Sequence, residues 1–206
     1  MTLNPKQLLS SSAVFNSFQS LVGMPDLFHE FFRNHVKPRP GDKMLDLGCG
    51  VGATLRHVPD GVRYTGVDIS AEYIAAARAK FGQRGIFITS DVAEAAFDGS
   101  HFDCAIAVGV IHHLDDTTAA ALLRLASTSL RPGGCLYTID PCYVPEQSWI
   151  GKWITGNDRG QFVRSPAGYR ALFNRQGRAE GKTVRGLLRV PYTHFVAKVS
   201  FTASGA

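Results

Sequence analysis

Apolar residues come along this chain in short runs, each closed by a glycine or an acid, with stretches of helical period between them. Lys43–Leu47, Val62–Val67, Gly85–Thr89, Phe102–Val108 and Cys135–Ile139 are five such runs. Runs that are apolar on both faces suit strands of a parallel sheet covered on both sides. The intervening segments read as helices. Ala53–His57 is compatible with one, Ser70 can cap another over Ala71–Lys80, and Asp115–Leu130 has the right period with acids at its start. The alternation predicts an α/β fold, a parallel sheet with helices on both faces. Upstream, Pro25–Val36 predicts a helix with a heavy aromatic face, ended by Pro38 to Asp42. Downstream of Asp140 the pattern loosens. Residues 141–165 read as an irregular segment carrying Trp149 and Trp153, and Ser165-Pro166 opens a helix to about Phe173. Thr183–Val190 and Tyr192–Phe201 read as a tightly joined antiparallel pair at the sheet edge.

Composition bounds this picture without changing it. With 206 residues, 45% hydrophobic and 19% charged, the chain suits one ordinary globular domain and not a disordered segment. No apolar run is long enough to cross a bilayer, and Met1 to Lys6 leads into no signal-type apolar stretch, so a cytoplasmic location is expected. Cys49, Cys104, Cys135 and Cys142 are scattered without a Cys-x-x-Cys pair, which predicts free buried thiols and neither disulfides nor zinc. Charge is uneven. The first 150 residues hold 12 Lys/Arg against 15 Asp/Glu, and the remainder holds ten against two. The basic quarter (Arg159, Arg164, Arg170, Arg175, Arg178, Arg185, Arg189) is spaced out with little aromatic interleaving, as a solvated face is.

Candidate chemistry sits at the ends of the strands. Gly48, Gly50 and Gly52 follow the first run, where a turn free of Cβ atoms lets a ligand touch the main chain. Gly48-x-Gly50-x-x-Ala53 satisfies the relaxed dinucleotide fingerprint, and Asp68, twenty residues beyond Gly48, can accept from both hydroxyls of a ribose. These two features fit NAD and other adenosine cofactors alike. Asp91 ends the third strand, where its carboxylate can accept from an exocyclic amine and the Val92 N–H can reach a ring nitrogen. Acids at such turns also cap helices, and the two roles can coexist.

With Asp46-x-Gly48-x-Gly50-x-Gly52, Asp68, Asp91, Val110-Ile111-His112-His113-Leu114 and Arg131-Pro132-Gly133-Gly134 in order, residues 43–140 resemble the class I S-adenosylmethionine-dependent methyltransferases. The resemblance implies a Rossmann-like three-layer sandwich, its seven-stranded sheet mostly parallel with an antiparallel last strand. The chain is expected to form a single domain: an N-terminal helical lid (1–36) with Phe15 and Phe18, a cofactor-binding core (43–140), a cap segment and helix (141–182), and a C-terminal strand pair (183–206). Asp46, the three glycines, Asp68, Ile69 stacked on adenine, Asp91, Val92 and Val108 would hold S-adenosyl-L-methionine. Asp46 adds negative charge near its cationic end, where a dinucleotide would place a pyrophosphate. The acceptor would be a small molecule, with no nucleic acid or membrane partner; no metal is implied, since no acid–acid–Asn cluster stands out after the fourth and fifth strands, where Asp115, Asp116 and Asp140 are the acids that leave room for one. His112, His113 and Tyr143 are the candidate bases, and Arg159 and Arg164 are polar groups that can orient a substrate or lie on a surface loop. Asp140-Pro141-Cys142-Tyr143 is similar to a motif of base-methylating enzymes but follows the wrong strand and lacks a second proline. An NAD-dependent oxidoreductase, or a methyltransferase fold running a non-methylating reaction, are the alternatives.

Overall fold

The computed structural model describes residues 23–97, 101–156 and 160–201. Seven strands form one sheet: β1 (Lys43–Leu47), β2 (Arg63–Asp68), β3 (Gly85–Thr89), β4 (Phe102–Val108), β5 (Leu130–Pro141), β6 (Arg178–Arg185) and β7 (Thr193–Ser200). Their order is β3-β2-β1-β4-β5-β7-β6. The first five are parallel, and β7 runs antiparallel to both β5 and β6. This is the seven-stranded, mostly parallel sandwich that the resemblance implies.

Alternation along β1 divides the core into two layers. Leu45 and Leu47 face a cluster with Ala105, Ala107, Leu136, Phe195, Ala197 and Val199. Two helices cover that face, α3 (Asp116–Ser129) through Leu122, Leu123 and Ala126, and α5 (Pro166–Phe173) through Tyr169, Leu172 and Phe173. Met44 faces the other layer, with Tyr64, Phe87, Cys104, Ile106 and Val196. That layer is closed by α1 (Met24–Phe31), which runs into a π turn over Phe32–Val36, and by α2 (Ala71–Phe81). The aromatic face expected on the first helix is buried here as Phe28, Phe31 and Phe32. Caps appear where the side chains promise them: Ser70 Oγ accepts from Tyr73 N, Asp115 from Thr118 N, and Ser165 Oγ from Gly168 N.

Four local readings need correction. The turn Arg131 to Gly134 lies inside β5 as a bulge, with Phe102 opposite Leu130 and Cys104 opposite Cys135. The segment after Asp140 is not wholly irregular, because Trp149–Gly156 forms helix α4. The last strand pair begins at Arg178, inside the stretch assigned to the cap, and β6 and β7 are joined by residues 186–192 rather than tightly. Cys135 is only half-buried, whereas Cys49, Cys104 and Cys142 are buried, and all four are free thiols. Phe15, Phe18 and Arg159 lie outside the described residues.

Candidate active site

The carboxyl ends of β1, β2 and β4 bring the glycine turn and the first acids together. Gly48, Gly50 and Gly52 all have positive φ, at 75°, 53° and 72°, but their surroundings differ. A Cβ on Gly48 would lie 2.6 Å from Val110 Cγ2, and one on Gly52 would lie 3.1 Å from the rings of Phe81 and Phe87. These two glycines let the turn close against its neighbours. A Cβ on Gly50 would meet nothing within 4 Å. Gly50 is therefore the position that opens on the cleft. Its amide donates to Asp68 Oδ2 at 2.8 Å, while Asp68 Oδ1 accepts from Ser70 N at 2.9 Å. Each Asp68 oxygen thus spends one acceptor site on the main chain and keeps another. Ile69, beside it, is 70% exposed. Asp91 accepts from Ala93 N through Oδ1 and so shapes its own turn, with Val92 half-buried against the core. Val108 ends β4, half-buried against the other layer.

Asp46 sits beneath this turn and not on its surface. It is 1% exposed, and its Oδ2 accepts from Thr54 Oγ1 and from Tyr64 OH, both at 2.5 Å. Register explains the contact: Tyr64 stands opposite Met44, two residues before the Gly66 that faces Asp46. Desolvation outweighs the two donated hydrogen bonds and the neighbouring Asp68 charge adds to it, so the Asp46 carboxyl is pushed up to about 6 from 3.8. A folded-state value above the unfolded one contributes stability that is complete below pH 4 and is lost as pH rises through about 6. The two-unit gap corresponds to about 3 kcal/mol. Asp46→Asn keeps an acceptor for both hydroxyls and has no proton to lose. Its urea midpoint relative to wild type is therefore expected to rise between pH 5 and pH 8; an unchanged difference would show that Asp46 does not titrate in this range.

Across the sheet, His112 and Asp140 form a buried pair. His112 Nδ1 lies 2.8 Å from Asp140 Oδ1, which also accepts the His112 main-chain N–H at 3.1 Å. The two residues are 4% and 1% exposed. Asp140 Oδ2 is buried without a hydrogen-bond partner among the described residues. The exposed His113 ring lies against that of His112, with centroids 4.0 Å apart and the planes tilted by 40°. Gly160 packs so closely on the His112 ring that a Cβ there would clash with its Cδ2. Tyr143 is 38% exposed and is held by its main chain, which donates to Arg164 O. The sequence shows Asp140 only as an acid that closes the fifth strand; its role as the partner of His112 comes from β5 lying beside β4.

Arg164 also serves differently from either reading. Its guanidinium donates to the carbonyls of Ile111, Leu114 and Phe162 and to Asp116 Oδ1, so it staples the His112–His113 loop to the cap. Asp115 caps α3, Asp116 takes Arg164 and Arg175, and Asp140 holds His112. Among the described residues no three His, Cys, Asp or Glu side chains gather as a metal site.

Residues 44–134 match the family model described as "Methyltransferase domain". The 27-O-demethylrifamycin SV methyltransferase of Amycolatopsis mediterranei is 33% identical over 119 residues, covering 54% of this chain and 43% of the relative. The nocamycin O-methyltransferase of Saccharothrix syringae is 34% identical over 155 residues, covering 68% of this chain and 54% of the relative. The chain spans about half the length of these curated relatives. The structure of the pyocyanin biosynthetic protein PhzM superposes with a TM-score of 0.73 at 17% identity, over 95% of this chain and 61% of that one. At that identity the likeness is one of fold.

Proposed function

We propose that this chain, which belongs to the class I S-adenosylmethionine-dependent methyltransferases, transfers a methyl group from that cofactor to an oxygen of a small-molecule acceptor. The observation that carries the reading is the open face of Gly50, bonded through its amide to Asp68, in the turn that follows the buried Asp46 carboxylate. These groups fit the cofactor. Gly50 gives main chain without side-chain obstruction, Asp68 has acceptor capacity left for two ribose hydroxyls, and the Asp46 charge favours a cation nearby. Ile69 supplies an exposed apolar surface for adenine, and Asp91 and Val92 supply an acceptor and an amide for its edge. When bound, S-adenosylmethionine supplies a methyl group activated on a sulfonium. The chain supplies position and, through His112 and Asp140, a place for the acceptor's proton. Tyr143 and the exposed His113 flank that place. The names of the two relatives support oxygen as the acceptor atom, as does a histidine base, which a hydroxyl needs more than an amine does.

A dinucleotide reading fares worse on a specific point. Pyrophosphate is held by the amides and dipole of a helix start. Here the glycine turn leads into a five-residue 3₁₀ turn, Ala53–His57, with the Asp46 carboxylate behind it. S-adenosylhomocysteine at about 100 times its Kd is expected to stabilise the fold by about 2.7 kcal/mol, which is roughly 5–10 °C in Tm for a chain of this size. NADH is expected to give no shift. Gly50→Val, with a side chain filling the open face and a strained positive φ, is expected to lose the response while unfolding cooperatively. A shift with NADH alone, or an unimpaired response in the variant, would overturn the reading.

A further inference from the structure

The described arginines of the basic C-terminal quarter are engaged. Arg164 and Arg175 sit on Asp116, Arg178 on Glu180, Arg185 on Glu146 and Arg189 on Asp26, while Arg170 donates to Gly181 O. Unpaired positive charge gathers in the half whose formal balance is negative, between α1 with its π turn and the 3₁₀ turn after β1. His29, Arg33 and Lys37 recur every fourth residue along one wall of a groove of about 480 Å³. Arg56, His57 and Pro59 form the facing wall, and Phe32 lies between them. None of the five basic side chains makes an ion pair among the described residues, and no carboxylate lines the groove. The nearby acids are turned elsewhere: Asp60 to Arg84, Glu30 to Asn34. The His57 ring lies between those of Phe28 and Phe32, with centroids 5.5 and 6.4 Å away. Burial, with His29 and Arg56 beside it, keeps His57 below the ordinary imidazole range.

Charged walls on two sides with nothing of opposite sign between them concentrate anions. We propose that this groove binds a small anion carrying two or more linked phosphates. The row runs from α1 through the π turn to Lys37, which ends it in the left-handed conformation; two helical turns are about 10 Å long, more than one phosphate spans, and the volume is that of a small-molecule site. The groove is separate from the methyl-transfer cleft. Lys37 and Pro38 precede β1 and Pro59 precedes β2, whereas Gly50 and Asp68 lie at the other ends of those strands. The two sites share the 3₁₀ turn, in which Thr54 holds Asp46 while Arg56 and His57 face the groove.

Inorganic pyrophosphate and ATP, titrated calorimetrically at pH 6 in low salt, are the probes. Both are expected to bind at one site, more tightly at pH 6 than at pH 8 because an anion favours protonated His57 beside His29, Arg33, Lys37 and Arg56. Arg33→Glu and Arg56→Glu are each expected to weaken binding about tenfold or more. Arg178→Glu, the same charge change on β6 at the far edge of the sheet, is expected to leave it within about twofold, since distant exposed charges are screened. S-adenosylhomocysteine affinity should survive in all three variants, which shows that they fold. Absence of pyrophosphate binding, or equal weakening by Arg178→Glu, would overturn the proposal. So would binding of an oligothymidylate with no binding of either small probe.

Discussion

Asp68→Ala is expected to weaken S-adenosylhomocysteine binding by about two orders of magnitude or more while the protein stays folded. The estimate rests on two charge-assisted hydrogen bonds to ribose, each worth about 1.5–3 kcal/mol. The fold survives because Asp68 ends β2 half-buried, and the two amides it releases, Gly50 N and Ser70 N, lie at the cleft where water can replace it. The same two bonds raise a competing account, in which the variant merely loosens the glycine turn. A double cycle separates them. If Asp68 accepts from the ribose hydroxyls, removing the carboxylate and removing the hydroxyls, as in the 2′,3′-dideoxy analogue, delete the same interaction, and the losses do not add. Additive losses, or unchanged affinity in Asp68→Ala, would refute the ribose role. Isothermal titration of both ligands against both proteins gives the four numbers required.

Asp68 was legible in the sequence because its position follows from strand ends, and strand ends were the clearest signal in the chain. β1, β3 and β4 have the bounds that their apolar runs predict, since turn residues follow each run at once: Gly48, Ser90-Asp91 and Gly109. Where no apolar run ends in such residues, the signal fails. Helix α4 buries Gly151 and Thr155 and leaves Trp149 79% and Trp153 66% exposed, so its hydrophobic period points the wrong way and the segment reads as loop. β6 is an edge strand of mostly exposed residues, Arg178–Arg185, with no apolar run to announce it. The site shows the same division. Gly50, Asp68 and Asp91 are marked by residue type at a strand end. Thr54 and Tyr64 as the holders of Asp46, and Asp140 as the holder of His112, are pairs made by register between neighbouring strands and turns, which one sequence does not display.

His112 gives the second large effect, and here the register pair decides it. Asp140 Oδ1 accepts from both the ring Nδ1 and the main-chain N–H of His112, which fixes the tautomer and makes Nε2 the basic nitrogen. With an acceptor that the protein methylates, His112→Ala is expected to lower kcat by about 10²–10⁴-fold, the usual range for loss of a general base, and to leave S-adenosylhomocysteine affinity unchanged. His113→Ala, which removes an exposed ring neighbour, should cost far less. Asp140→Asn is the sharper test because Asn can still accept one hydrogen bond at the same place. If Asp140 only props the loop, the variant behaves as wild type, since the Arg164 staple to Ile111 O, Leu114 O and Asp116 still holds that loop to the cap. If Asp140 positions the base and stabilises its charged form, kcat falls about 10-fold or more with KM little changed, by the arithmetic that separates transition-state from ground-state losses. Wild-type turnover in His112→Ala would remove the imidazole from the reaction and leave methyl transfer to proximity alone.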